Sequence, residues 1–386
     1  MDFTQNHLKV QILIKAVLAL EDETIINGSG FGYPRKVSGE VVFNTGMVGY
    51  TESLTDPSYF GQILIQTYPL VGNYGVPSYS ITDEFGIPLY FESNRIQVKG
   101  YAIYSLAQNP SHWSYKKTLN EWMYEQKISC IEGIDTRELT KKIRVKGTML
   151  GILKIAKEID YKEIMTELGN IEDPNKRDLV REVTIKKPIE YNFGRSIKIV
   201  MIDCGTKYGI LRNLLKSKVD VVRVPYDYSV ENILKLNPSG VVISNGPGDP
   251  KKCEKTIKTV REIIETNIPV MGICLGNQIL ALAAGADTYK MKFGHRGQNH
   301  PCMDVSNKRC YITTQNHGYV VEDESLKETG FDIWFKNVND KTVEGIKHKK
   351  KPVFGIQFHP EASPGPYETG SLFDYFIEKA KRFGKV

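Results

Sequence analysis

Three short runs in the second half of this chain carry residue types that could do covalent chemistry together. The first is Gly272-Ile273-Cys274-Leu275-Gly276-Asn277-Gln278, which follows an apolar run and opens a helical pattern. A cysteine on a sharp strand-to-helix turn is exposed as a nucleophile, and the helix N-terminus favours negative charge on its sulfur. The glycines on either side fit a turn too tight and too strained for side chains. The second run is His359-Pro360-Glu361, directly after the strand-like Val353 to Phe358. On an extended chain His359 and Glu361 project to the same side, so Glu361 can hold the ring of His359 in one tautomer while Pro360 stiffens the link. A cysteine nucleophile needs such a base and an orienting group. The third is Ser244-Asn245-Gly246-Pro247-Gly248-Asp249-Pro250. So many Gly and Pro residues fix backbone N–H groups in place, and those of Gly248 and Leu275 together could hold an oxyanion.

Each run has a plainer reading. A cysteine after an apolar strand is usually a buried structural thiol, and His-Pro-Glu and Gly-Pro-Gly are usually turns. Their joint occurrence at predicted strand ends is what favours chemistry. A metal reading of His295, His300, Cys302, Cys310 and His317 fits no standard zinc spacing, so no metal is expected.

These runs require a scaffold that brings strand ends together. From Ser196 onward apolar strands alternate with helical segments: Ile197 to Ile202, then Tyr208 to Lys216; Val219 to Val224, then Val230 to Leu236; Gly240 to Ile243, then Lys255 to Glu265; Ile268 to Ile273, then Leu275 to Ala284. Such alternation predicts a mainly parallel sheet flanked by helices, with active groups at the carboxyl ends of its strands. Beyond Ala286 shorter β-like pieces follow (Asp332 to Val338, Thr342 to Ile346, Val353 to Phe358), and Ser371 to Phe383 reads as a closing helix. The first 150 or so residues differ, with short alternating runs such as Gly39 to Phe43 and Gln62 to Ile65 between turn-forming residues. The whole is an α/β chain: a β-rich N-terminal α/β domain over 1–157, a charged connector over 158–195 whose clear element is a helix at Ile159 to Leu168, and the parallel-sheet domain over 196–386.

Composition agrees with two domains, since 386 residues exceed the roughly 250–300 at which single cores stop growing. The fractions of 41% hydrophobic and 25% charged residues are those of an ordinary globular protein. Val10 to Leu20 reads as a strand, since it contains Lys15 and meets Glu21-Asp22-Glu23 without a cleavage site. Nothing approaches the roughly 18 uninterrupted apolar residues of a membrane span, so a cytoplasmic protein is expected. Cys130, Cys204, Cys253, Cys274, Cys302 and Cys310 lack CxxC spacing and should be free thiols. A net charge of +6 is small, and the basic run Lys347 to Lys351 reads as a solvated turn rather than a nucleic-acid contact.

Taken together, Gly-Ile-Cys-Leu-Gly-x-Gln, Ser-Asn-Gly-Pro-Gly-Asp-Pro and the run His359 to Pro366 resemble the class I, or triad, glutamine amidotransferases. The N-terminal half narrows this. Gly39 to Glu52, Leu54 to Tyr59, Thr67 to Asn73 and Gly133 to Arg137, with Lys292 to Pro301 and Thr314 to Tyr319, are similar to the small subunits of carbamoyl-phosphate synthetase.

The resemblance implies a Cys274, His359, Glu361 triad that releases ammonia from L-glutamine through a glutamyl thioester. It also implies glutamine contacts at Gly46, Gly246, Gly248, Leu275, Gln278, Asn316, Gly318 and Tyr319. It further implies a large-subunit partner that uses two ATP, with Mg, to make carbamoyl phosphate from hydrogencarbonate for arginine and pyrimidine synthesis. No cofactor is then expected in this chain, and the N-terminal domain serves mostly the subunit contact. Two positions depart from the common bacterial pattern: Gly46, often Ser, can offer only backbone contacts, and Asn277, usually His, cannot titrate. A non-catalytic interaction subunit and a cysteine peptidase are the competing classes. The intact Cys274, His359 and Glu361 disfavour the first, and the Gly246 to Gly248 loop with Gln278 disfavours the second.

Overall fold

The computed structural model describes residues 14–383, so residues 10–13 of the expected first strand lie outside it; the strand runs Lys15–Leu20. Seven strands of the N-terminal half close into a barrel in the order Lys15–Leu20, Ile25–Gly32, Ser129–Glu132, Gly100–Ala102, Gln62–Gln66, Lys36–Asn44 and Met149–Ala156. Lys36–Asn44 and Gln62–Gln66 pair in parallel, so the chain between them must cross over. It does so through the short helix Tyr50–Thr55 and the turn Pro57–Tyr59. That crossover reaches the functional site.

The second sheet has ten strands. Its parallel centre runs Asp220–Pro225, Lys198–Asp203, Gly240–Ile243, Val270–Ile273 and Val353–Ile356. Both faces are covered, so successive residues of one strand enter opposite cores. Val200 and Ile202 pack with Val260, Ile263, Ile279 and Leu280 on one face. Ile199 and Met201 pack with Leu211, Leu214, Phe373 and Phe376 on the other. Each such buried side chain stabilises the fold by roughly 1.5–3 kcal/mol. The closing helix Ser371–Phe383 supplies Phe373 and Phe376.

The structure departs from the sequence expectations at two places. The expected short β pieces after Ala286 include one long hairpin, Thr288–Asp304 with Cys310–Val321, broken by register shifts between Lys290 and His295 and between Gly297 and His300. Those bulges interrupt the period-two pattern that marks a strand. The connector holds more than the helix Tyr161–Leu168. Its Ile189–Tyr191 pairs antiparallel with Asp220–Pro225 and forms the edge of the large sheet. Helix and strand bounds elsewhere shift by a residue or two. The basic run starts in the end of strand Val343–His348, where Lys347 sits over Trp334 and Tyr375, and continues through the turn before Val353–Ile356, where Lys351 pairs with Glu265. Among the described residues no helix is long and apolar enough to cross a membrane.

Candidate active site

Four neighbouring parallel strands end side by side, and the loops that follow them, together with the hairpin, build the site. Cys274 sits between Val270–Ile273 and the helix Leu275–Ala283, with φ 54° and ψ −104°. A non-glycine residue held there is strained, and its amide is fixed by a 2.7 Å bond to the Ile356 carbonyl. The strain therefore falls on the cysteine, not on its flanking glycines. Those are required by close approach instead: a Cβ on Gly272 would lie 2.4 Å from the Gly276 carbonyl oxygen, and one on Gly276 2.2 Å from that of Ile243. The helix can start directly against the neighbouring strand only because both lack side chains.

His359 arrives differently from the expected strand end. Pairing stops at Ile356, the chain bends, and His359 forms an isolated bridge to Thr314 before a turn through Pro360 and Glu361. That turn, rather than an extended segment, puts His359 Nδ1 2.7 Å from Glu361 Oε1. Glu361 also takes Lys207 Nζ at 2.9 Å, and all three side chains are almost fully buried. Burial is the largest influence on His359 and would lower its pKa, but the Glu361 charge together with the Cys274 sulfur lifts it from 6.5 to about 10. Burial would raise Glu361; Lys207, then His359, hold it down at about 2. Lys207 is penalised by burial yet kept firmly protonated by Glu361, Glu92 and Asp56. His359 Nε2 is buried without a hydrogen-bond partner among the described residues, and the Cys274 sulfur is among the groups that favour its charged form.

The sign of the resulting pH dependence follows from the two shifts. The raised His359 contributes stability that is complete below about pH 6.5 and is lost as pH rises toward 10. The depressed Glu361 contributes stability present above about 4.5 and lost as pH falls toward 2. The native chain should therefore lose stability between pH 6.5 and 10 more steeply than His359→Gln, as read from denaturant midpoints at both ends of that window. Parallel slopes would contradict the ion pair.

Cys274 opens into a cavity lined by Gly246, Gly248, Leu275, Gln278, Asn316, Gly318 and Tyr319, seven of the eight expected glutamine contacts. The Gly248 and Leu275 amides make no hydrogen bond with another described residue. Gly248 has φ 85°, which aims its loop in a way that few other residues allow. Gly46, the eighth contact, does not line this cavity. Its N–H donates to Asn44 Oδ1 at 2.6 Å and its carbonyl accepts from Gln66, both within the N-terminal domain.

Several residues of the site were given no role in the sequence reading. The cavity wall also holds Glu40 from the barrel, with Lys290 and Arg296 from the hairpin. Asp56, from the crossover, accepts from Asn316 Nδ2 at 2.8 Å, and beside it Ser58 accepts from Asn245 Nδ2 at 3.0 Å. Glu92 accepts from the Gly209 amide at 2.9 Å. The N-terminal domain thus supplies groups that bond to residues beside Cys274, His359 and Glu361. Glu40, Asp56, Ser58, Asn245 and Arg296 lie in runs already singled out in the sequence, and Lys207 had a signal of its own, since it follows the strand Lys198–Asp203 at its carboxyl end.

Of the residues weighed as metal ligands, His295 and His317 do converge, with Glu344, so that their ligand atoms lie within 4.8 Å of one another. Both ring nitrogens of His295 already face carboxylates, Glu344 at 3.1 Å and Asp340 at 2.8 Å. Burial opposes its charge, yet these two partners raise its pKa to about 9, so the imidazolium itself supplies the positive charge there.

Comparison with known proteins agrees with this architecture. Residues 200–379 match the family model of class-I glutamine amidotransferases, and residues 18–153 that of the carbamoyl-phosphate synthase small chain, CPSase domain. The carbamoyl phosphate synthase small chain of Methanopyrus kandleri is 47% identical, over 94% of this chain and 98% of that protein. That of Methanocaldococcus jannaschii is 45% identical, over 96% of this chain and 100% of that protein. The multifunctional protein CAD of Squalus acanthias is 48% identical over 95% of this chain, which covers 16% of that much longer protein. Two domains in one order, matched over nearly the full length of the two small chains, leave one assignment: the chain belongs to the family of carbamoyl phosphate synthase small chains and carries a class-I glutamine amidotransferase domain.

Proposed function

We propose that this chain is the glutaminase subunit of a two-subunit ligase, hydrolysing L-glutamine by a Cys274, His359, Glu361 triad. The Cys274 sulfur attacks the side-chain amide carbon of glutamine, and the oxyanion that forms is held by the Leu275 and Gly248 amides. His359 gives its proton to the departing ammonia, leaving a glutamyl thioester, and then takes a proton from the water that hydrolyses it. Glu361, anchored by Lys207, keeps the imidazole in place throughout. The observation that carries this reading is the strained Cys274, which shares one cavity with two amides and faces a base whose Nε2, like those amides, has no hydrogen-bond partner among the described residues.

The cavity suits an α-amino acid. Glu40, paired with Lys290 at 2.7 Å, and Arg296 put both signs of charge in the wall, for its ammonium and carboxylate groups. The ammonia passes to a large subunit in the same cytoplasmic complex, which holds the ATP and Mg and joins ammonia to hydrogencarbonate as carbamoyl phosphate. No cofactor is required in this chain. Incubation of the full chain with an electrophilic glutamine analogue is the direct test. It should modify Cys274, seen by peptide mass spectrometry, and excess glutamine should protect; modification elsewhere, or no protection, would count against the assignment.

A further inference from the structure

We propose that Gln357 is a further catalytic residue, whose side-chain N–H hydrogen-bonds the Cys274 sulfur and supports its negative charge, with Asn277 and Gln278 as the positioning residues that aim it. The inference rests on Cys274 being the nucleophile. Gln357 is fully buried, one residue past the strand Val353–Ile356, and its Nε2 lies 3.7 Å from Cys274 Sγ. A glutamine amide can point either way, so what matters is what fixes it. Here its Oε1 accepts from Asn277 Nδ2 at 3.3 Å and from Gln278 Nε2 at 3.1 Å. Turning the amide over would set three NH2 groups against one another and present an oxygen to the sulfur. The two neighbours therefore leave the NH2 of Gln357 facing Cys274.

The same network explains Asn277. Its Cα and Cβ would lie 3.0 Å and its Oδ1 2.3 Å from a Cβ at position 355, so it fits only because Gly355 is there, and it is completely buried. Its purpose is the bond to Gln357, which needs a donor and no titration. Gln278 likewise has its amide nitrogen committed, to the Tyr319 carbonyl at 2.7 Å and to Gln357, so its Oε1 is the atom left for substrate.

The contact gains strength at one step. In the thiol form Cys274 Sγ donates to the Asn316 carbonyl at 3.7 Å. Once His359 holds that proton, the carbonyl has nothing to accept, while the Gln357 N–H becomes a charge-assisted donor to sulfur. When the sulfur bonds to the glutamyl carbon its charge is gone and the contact weakens again. The charged groups that face the sulfur are His359 and Arg296.

The test follows alkylation of Cys274 by iodoacetamide against pH in the full chain, quantified by peptide mass spectrometry because the exposed Cys310 also reacts. Gln357→Met keeps the bulk and loses the donor, and its profile should move to higher pH by about one unit, the scale of one charge-assisted hydrogen bond. Asn277→Ala, which frees Gln357 to turn, should shift it in the same direction by less, and carries the test if the first variant does not fold. Folded variants with unmoved profiles overturn the role of Gln357. If instead alkylating Cys274 in the native chain leaves glutamine hydrolysis intact, the nucleophile assignment itself has failed.

Discussion

A Cys274→Ser chain, assembled with its synthetase partner, is expected to lose glutamine-dependent carbamoyl phosphate formation by roughly four orders of magnitude, while ammonia-dependent formation stays within about twofold of the native complex. The asymmetry comes from His359. Its pKa of about 10 suits a base that takes the proton of the attacking group and holds it until ammonia departs. A serine hydroxyl cannot give its proton to a ring that already holds one, so the variant keeps the cavity, the amides and the fold but has no nucleophile. The substitution is nearly isosteric at a position whose backbone is set by the Ile356 carbonyl and by Gly276, neither of which it disturbs. Both activities are measured on one preparation. Loss of ammonia-dependent synthesis as well would sink the division of labour between the two chains; retention of glutamine-dependent synthesis would sink the triad.

What could be read in advance, and what could not, follows how local each feature is. Cys274 was legible because an elbow needs its glycines within two residues, and the parallel strands because both faces are buried and each is rich in apolar residues. The helix Ser371–Phe383 was legible from its period. The barrel was not: its strand pairs join residues far apart, such as Ser29 with Glu132 and Lys15 with Ala156, and no local pattern encodes a partner. Asp56 and Glu92 were missed for the same reason. In sequence each is an acidic residue in a turn-rich stretch, and its bond to Asn316 or to the Gly209 amide joins it to a distant part of the chain. Gln357 was quoted as part of a strand, and its value lies in which of its two ends faces sulfur, a question that the side chains of Asn277 and Gln278 decide.

Lys207 offers the sharpest check on that hidden layer. Lys207→Met should destabilise the chain by about 3–5 kcal/mol at pH 7, because it leaves buried carboxylates without their counter-charge. Glu361 would keep only His359, and Glu92, which burial already pushes toward its neutral form, would lose the cation that most opposes that push. The cost should depend on pH in a definite direction. In the native chain Glu361 is depressed to about 2, so its contribution is present above about pH 4.5 and fades below it. In the variant burial dominates, the carboxyls prefer the neutral form, and acid relieves the strain instead of adding to it. The gap between native and variant midpoints in denaturant should therefore be widest near pH 7 and close as pH falls to about 4. Glutamine hydrolysis should fall with it even where the variant stays folded, since a Glu361 that takes up a proton no longer holds the His359 ring as an imidazolium. A cost equal at both pH values would mean that Lys207 merely packs. A variant both stable and active would mean that the triad needs no cation behind it.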